Sequence, residues 1–416
     1  MMKSDSSILI VGTADTKAAE LLFLKHCIDS AGGSAAIMDV GVLGTPPFKP
    51  EYPNAQVAAA AGTTVESIAA LGNENAAMKQ MAEGAVALAL ELYGKGKVQG
   101  LLALGGTMGT DLALDVTQAL PLGMPKLIIS TIAYSHLIPP ERLAPDLMMI
   151  LWAGGLYGLN SVCRSILSQA AGAVLGACST LIAPESKRPR VAISGLGTSC
   201  LSHTTYLIPE LEKRGFEPVV FHCTGMGGRA METLIERGAF VAVFDFPLNE
   251  LGSLIHGSMV HAGATRLEGA GARGVPQIVA PGASDMVDFQ SWAPLPEKYR
   301  ERPYYAHNRL IGSITLNAEE RRELARVIAR KLNQAQGPTA FLLPRHGIHA
   351  WDRPGQPLSD PAAHAAYMDE FRQVLKPPVE VHDLDMHIND PQFVAKALEI
   401  FDRWVEAGLI PTPQNS

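Results

Sequence analysis

The sequence predicts an α/β protein built as two Rossmann-like three-layer lobes, each with a mainly parallel sheet. Three observations lead there. Short apolar runs ending in glycine or a small polar residue alternate with Ala- and Leu-rich stretches of helical length, the pattern of parallel strands joined by crossover helices. The chain has 416 residues, too many for one ordinary core, since single cores stop growing at roughly 250–300 residues. Hydrophobic residues make up 47% and charged residues 18%, so a large aliphatic core can form and disorder is disfavoured.

The first strand is predicted over 8–11, where Ile8-Leu9-Ile10-Val11 follows a short polar start. That start has neither the basic flank nor the long apolar stretch of a targeting signal. Further strands are expected over 35–40, 101–104, 126–130 and 148–151, with helices over 17–30, 78–93 and 158–178. The segment Ala183-Pro184-Glu185-Ser186-Lys187-Arg188-Pro189-Arg190 is polar and carries two prolines, the composition of a connector. It sets the lobes at 1–185 and 190–416. In the second, strands are expected over 191–194, 218–221, 240–244, 277–280, 340–343 and 380–382, with helices over 203–214, 318–333 and 391–406. Asp390 before Pro391, and Asn317 followed by Glu319 and Glu320, are predicted helix caps. Gly12 and Asp39 are as far apart as Gly195 and His222, which fits either an internal duplication or the ordinary size of a βαβ unit.

Composition also excludes some functions. A net charge of -7 with no Lys/Arg stripe argues against nucleic-acid binding. Cys27, Cys163, Cys178, Cys200 and Cys223 are scattered, matching neither a disulfide framework nor zinc-site spacing, and read as reduced, mostly buried thiols. No run reaches the roughly 20 apolar residues of a membrane span, and 147–159 is broken by Gly154 and Gly155. No membrane association and a cytoplasmic location are expected.

Two glycine-rich loops of the first lobe carry the chemistry. The first strand runs into Gly12-Thr13-Ala14-Asp15-Thr16-Lys17 and a helix, so backbone N–H groups and the helix dipole favour a phosphate there. Thr13 and Thr16 add hydroxyl donors, Lys17 adds charge, and Asp15 can cap the helix or hold Mg2+ through water. This is not a Walker loop, because the second glycine and the Lys-Ser/Thr pair are missing. The second loop, Gly105-Gly106-Thr107-Met108-Gly109-Thr110-Asp111, permits close backbone approach, and Thr131 at the end of the fourth strand reaches the same sheet edge. The plainer alternatives are a capped βα turn and tight helix–sheet packing.

The second lobe has its own candidates. Thr224, Gly225, Gly227, Gly228 and Arg229 follow the strand ending at Phe221 and form an anion-friendly turn; with Glu250 they are the expected substrate-binding residues. His222, Asp285 and His387 are the acid/base candidates among the polar residues near strand ends, although a lone histidine after an apolar strand also serves as a hydrogen-bonded packing residue. Neither Gly195-Leu196-Gly197-Thr198-Ser199-Cys200 nor the later loop completes a dinucleotide fingerprint, so NAD is not expected. The run His382 to Asp390 has metal-ligand residue types without ligand spacing, and no metal ligand is assigned.

Taken in order, several motifs resemble one family: Gly12-Thr13-Ala14-Asp15-Thr16-Lys17, Ala31-Gly32-Gly33, Asp39-Val40, Thr224 to Glu232, Pro281 to Phe289, His307-Asn308, and His387-Ile388-Asn389-Asp390-Pro391. The family is a largely uncharacterised ATP-binding one that includes the inhibitory N-terminal region of the tomato mosaic virus resistance protein. The resemblance spans nearly the whole chain. It implies two Rossmann-like subdomains, ATP bound in the first, and a homodimer. The chain departs from the family pattern over 132–140 and at Phe246-Pro247-Leu248-Asn249, before Glu250. The resulting expectation is an enzyme that uses ATP, with Mg2+, on a small-molecule substrate held between the lobes, by phosphoryl or adenylyl transfer. The alternative is a non-catalytic ATP-binding dimer that binds and regulates a partner protein.

Overall fold

The computed structural model describes residues 7–182, 187–197 and 201–412. The chain divides into two compact units, Met1–Pro184 and Glu185–Ser416. Thr198, Ser199 and Cys200 of the glycine loop, and 183–186 of the expected connector, lie outside the described residues.

The first unit has strands β1 (Ser7–Gly12), β2 (Ala35–Asp39), β3 (Val98–Gly105), β4 (Lys126–Ser130) and β5 (Leu147–Leu151). Its helices are α1 (Ala18–Ser30), α2 (Asn54–Ala60), α3 (Val65–Ala69), α4 (Glu74–Gly94), α5 (Thr107–Ala119) and α6 (Ser161–Thr180). The strands are all parallel, in the order β2-β1-β3-β4-β5. Helices cover both faces, which is why the inner strands read as unbroken apolar runs. Ile8 and Ile10 pack with Leu21, Leu24 and Ile28 of α1 and Leu167 and Val174 of α6. Leu9 and Val11 face the opposite layer, with Val57 of α2, Met81 and Leu88 of α4, and Leu112 and Val116 of α5. The order reverses between β1 and β3, so the loops after these strands leave toward opposite faces and open a crevice at the strands' carboxyl ends.

The second unit has strands β6 (Arg190–Gly195), β7 (Glu217–His222), β8 (Ala242–Pro247), β9 (Gln277–Gly282), β10 (Met286–Gln290), β11 (Tyr304–Ala306), β12 (Ile311–Thr315), β13 (Thr339–Pro344) and β14 (Glu380–Leu384). Its helices are α7 (Leu201–Lys213), α8 (Met226–Glu236), α9 (Asn249–Ile255), α10 (Gly269–Ala272), α11 (Ala318–Leu332), α12 (Pro361–Val374) and α13 (Pro391–Glu406). Six strands form a parallel sheet in the order β14-β13-β9-β8-β6-β7, reversing between β6 and β8. Its two faces are covered separately: α7 and α13 pack on Ile193, Phe244 and Leu342, while α11 and α12 pack with Val279, Phe341 and Leu343. A small antiparallel sheet, β10-β12-β11, joins the second of these layers.

Helix α11 starts on a complete capping box: Asn317 accepts the Glu320 amide and Glu320 accepts the Asn317 amide. Asp390 does not cap α13 as expected. Its carboxylate turns back to accept the His387 amide and the Arg353 guanidinium, each at 2.8 Å, leaving Pro391 alone to favour the helix start. Cys163 and Cys223 are buried and Cys27 and Cys178 half-buried, all four as free thiols, while Cys200 lies outside the described residues. Among the described residues no helix is long and apolar enough to cross a membrane.

Candidate functional site

At the reversal point of the first sheet lies a cavity of about 630 Å3. Of the residues expected to bind a nucleotide, Thr13, Asp15, Thr16, Lys17, Gly105, Gly106, Thr107 and Gly109 line it. The remaining wall is mostly apolar: Val40, Val42, Leu43, Met78, Met81 and Met108. Gly12, Thr110 and Thr131 are not in the lining. A Cβ on Gly12 would stand 2.8 Å from a Leu21 methyl, so that glycine lets α1 close on the sheet. Thr110 is fully buried and shares a hydrogen bond with the Ser130 hydroxyl at 2.7 Å. The Thr131 amide donates to Gly105 O at 3.3 Å, tying the β4 loop to the β3 loop.

Each loop is held from behind. Asp39, wholly buried at the end of β2, accepts the amides of Ala14 at 2.8 Å and Gly41 at 2.9 Å. Burial raises its pKa above the usual carboxylate value, against the pull of those two amides. Asp15 does not cap α1. Its Oδ2 accepts the amides of Leu43 and Gly44 at 3.2 and 3.0 Å, which folds loop 41–44 over the cavity, while Oδ1 is buried without a hydrogen-bond partner. In the second loop, a Cβ on Gly105 would stand 2.5 Å from the Gly109 carbonyl carbon, so only glycine lets the chain turn this tightly into α5. The first-turn amides of α5, at Thr107, Met108 and Gly109, have no carbonyl one turn earlier in the helix to accept them.

Lys17 is already engaged. Its Nζ donates to Leu156 O and lies 5.1 Å from the centroid of the Tyr157 ring, itself 95% exposed. The Thr13 and Thr16 hydroxyls share a hydrogen bond of 2.7 Å. The cavity therefore combines hydroxyls, backbone amides, the Asn73 amide, one lysine and two carboxylates, the half-satisfied Asp15 and Glu74, with an apolar wall. Such a mixture accommodates a ligand that is polar at one end and flat and apolar at the other.

In the second unit the glycine turn after β7 is built differently from expectation. Glu250, 1% exposed, accepts the amides of Gly225 at 2.6 Å and Gly228 at 3.3 Å, so the amides that favour an outside anion hold an internal one. Gly225 has φ +97°, a conformation closed to most side chains, and a Cβ on Gly228 would stand 1.8 Å from Glu250 Oε2. Arg266, fully buried, joins Glu250 at 2.8 Å, Asp245 through both terminal nitrogens and Glu232 at 3.3 Å. Burial raises the pKa of Glu232 and of Glu250, with Arg266 opposing. Thr224 is half-buried, Gly227 packs against His222 O, and Arg229 donates to His261 O at 3.4 Å.

The acid/base candidates fall into two groups. His222 is exposed at the end of edge strand β7. Asp285 and His387 are buried and linked through two residues that sequence reasoning missed. Asp285 faces Arg321 at 2.9 Å and His349 at 3.3 Å; His349 is 3.9 Å from Asp352, which accepts His387 Nε2 at 3.0 Å. Burial alone would raise the Asp285 pKa, but Arg321 and His349 hold it far below the usual range. Among the described residues no group of three or more His, Cys, Asp or Glu is placed to hold a metal ion.

Comparison with known proteins gives the family. Residues 6–182 match the N-terminal domain, and 188–405 the C-terminal domain, of the uncharacterised protein family UPF0261. A UPF0261 protein of Brucella melitensis is 54% identical over 97% of this chain and 96% of its own length. One from Clostridium tetani is 34% identical over 94% and 96%. The ToMV resistance protein Tm-1(GCR237) of Solanum lycopersicum is 29% identical over 95% of this chain and 55% of the plant protein. With both domains matched in order along nearly its full length, the chain belongs to the UPF0261 family.

Proposed function

We propose that the first unit binds ATP in the cavity at the β1/β3 reversal and that the protein is an enzyme using it on a small molecule. The observation that carries this reading is the convergence of loops 12–17 and 105–109 on one cavity that also has a methionine-rich wall. Hydroxyls of Thr13, Thr16 and Thr107 and the opening amides of α5 suit the phosphates. Met78, Met81 and Met108 are polarizable side chains that adapt to a flat base. Bound there, ATP supplies a phosphoryl or adenylyl group for transfer. Lys17 would exchange its carbonyl partner, Leu156 O, for phosphate oxygen.

The homodimer implied by the family resemblance belongs to the same reading and is open to sedimentation equilibrium. Titration calorimetry with ATP, ADP and GTP, with and without Mg2+, tests the binding itself. Saturable ATP binding that is weakened by substitutions at Thr13, Thr16 or Lys17 is expected. Absence of heat and of competition with every nucleotide would remove the reading.

A further inference from the structure

The second unit contains a chain of hydrogen bonds that neither the nucleotide cavity nor the Asp285 cluster uses. Asp288, on β10 and 3% exposed, is gripped on every side by neutral groups. Its Oδ2 accepts Asn249 Nδ2 at 3.0 Å, and its Oδ1 accepts the Ser313 hydroxyl at 2.5 Å. Its backbone amide donates to the Ser253 hydroxyl, and its carbonyl accepts the Ser258 hydroxyl. Among the described residues no Lys, Arg or His forms an ion pair with it. Ser313, wholly buried on β12, is in turn 2.7 Å from His307 Nε2.

The direction of this chain follows from donor chemistry. An ionised Asp288 only accepts, so Ser313 gives its single proton to it and has only lone pairs left for His307. His307 must then carry its proton on Nε2. That leaves Nδ1 as the bare nitrogen, and among the described residues it has no hydrogen-bond partner and is not one of the buried unpartnered atoms. The chain ends on an open ring nitrogen, and burial holds the imidazole below its ordinary pKa.

The imidazole sits among aromatic rings. His307 lies 5.0 Å from the Tyr305 ring and 4.6 Å from the Trp351 ring, and those two are 5.1 Å apart. Tyr305 and Trp351 also pack on a small apolar cluster of Leu196, Ala283, Met286 and Leu358. Leu196 follows β6, and Asn249 follows β8 within two residues. These are the two strands between which the second sheet reverses, the edge where open α/β sheets receive ligands.

We propose that His307 is the general base of a second site, which takes a proton from a hydroxyl group or water beside a small, uncharged, ring-bearing substrate held against Tyr305 and Trp351. The proton passes to Nδ1 as the deprotonated oxygen bonds to an ester carbonyl carbon of the substrate, the imidazolium is stabilised through Ser313 by the Asp288 carboxylate, and the proton returns to the alcohol oxygen as its bond to that carbon breaks. Ser313 and Asp288 are positioning residues. This site stands independently of the ATP reading.

The test uses the full chain and p-nitrophenyl acetate as probe. His307 takes the proton of a water that attacks the ester carbonyl, the bond from the carbonyl carbon to the aryl oxygen breaks, the proton passes to that oxygen, and acetic acid and p-nitrophenol result. Saturable release of p-nitrophenol is expected, falling at least about tenfold in His307→Gln and in Ser313→Ala, on the scale of general-base contributions. It should be unchanged in His26→Gln, which removes an exposed histidine of the first unit. Nitrogen-15 NMR of the histidines supplies a second readout: His307 should be the Nε2–H tautomer, and should lose that preference in Ser313→Ala. Equal release by all variants, or an Nδ1–H tautomer in the parent protein, would overturn the proposal.

Discussion

The Glu250 carboxylate accepts the Gly225 amide at 2.6 Å and the Arg266 guanidinium at 2.8 Å. One acidic side chain thus supplies the negative charge that the Thr224–Arg229 turn is shaped to receive. Glu250→Ala should cost about 3–5 kcal/mol, because it leaves two amides and part of a buried guanidinium without partners. Urea unfolding measures this, and a change under about 1 kcal/mol would show that the contacts contribute as little as an exposed pair.

His203 gives a pH dependence with a definite sign. It is wholly buried, stacks on Phe393 and bonds Ile388 O at 2.8 Å; burial pushes its pKa down to about 4 from an ordinary 6.5. Above pH 6.5 it is neutral in both states, and its contribution is fully present. As pH falls from 6.5 to 4 the unfolded chain gains a proton that the folded chain refuses, and about 3 kcal/mol is lost. Denaturant midpoints across this range should fall more steeply for the parent protein than for His203→Gln; parallel curves would contradict the assignment.

Asp39 links folding to the cavity without lining it. Asp39→Ala leaves the amides of Ala14 and Gly41 unpaired in a buried place, at about 1–3 kcal/mol each. Because these amides fix the loops on both sides of the β1 end, nucleotide affinity should fall along with stability. Thermal melts and calorimetry on the same sample check whether the two losses occur together.

Lys17 contributes charge to the expected phosphate end. Lys17→Met should weaken ATP about tenfold, equivalent to about 1.4 kcal/mol, and leave adenosine binding unchanged. A matching loss for adenosine would move Lys17 away from the phosphates.

The parallel strands were legible because burial on both faces makes runs such as Ile8-Leu9-Ile10-Val11 continuous and glycine marks their ends. The α11 start was legible because a capping box lies within four residues. The antiparallel sheet was not. Gly312 interrupts the apolar pattern of β12, and Asp288 within β10 reads as a break unless Ser313 and Asn249 are known to meet it. Asp15 and Glu250 show the same limit. Each sits beside a glycine loop with the chemistry of a ligand contact, but each is spent on backbone amides, of loop 41–44 and of the Thr224–Arg229 turn respectively. His349 and Asp352 joined Asp285 to His387 only through tertiary packing, which no local spacing announces.

The crevice of the first unit owes its existence to the path of the chain, since α1 departs toward one layer and α5 toward the other. Met108, exposed on the cavity wall, can therefore be exchanged to change which molecules fit while the ladder between β1 and β3 stays intact. At that position the shape of the crevice and the stability of the fold are encoded by different residues.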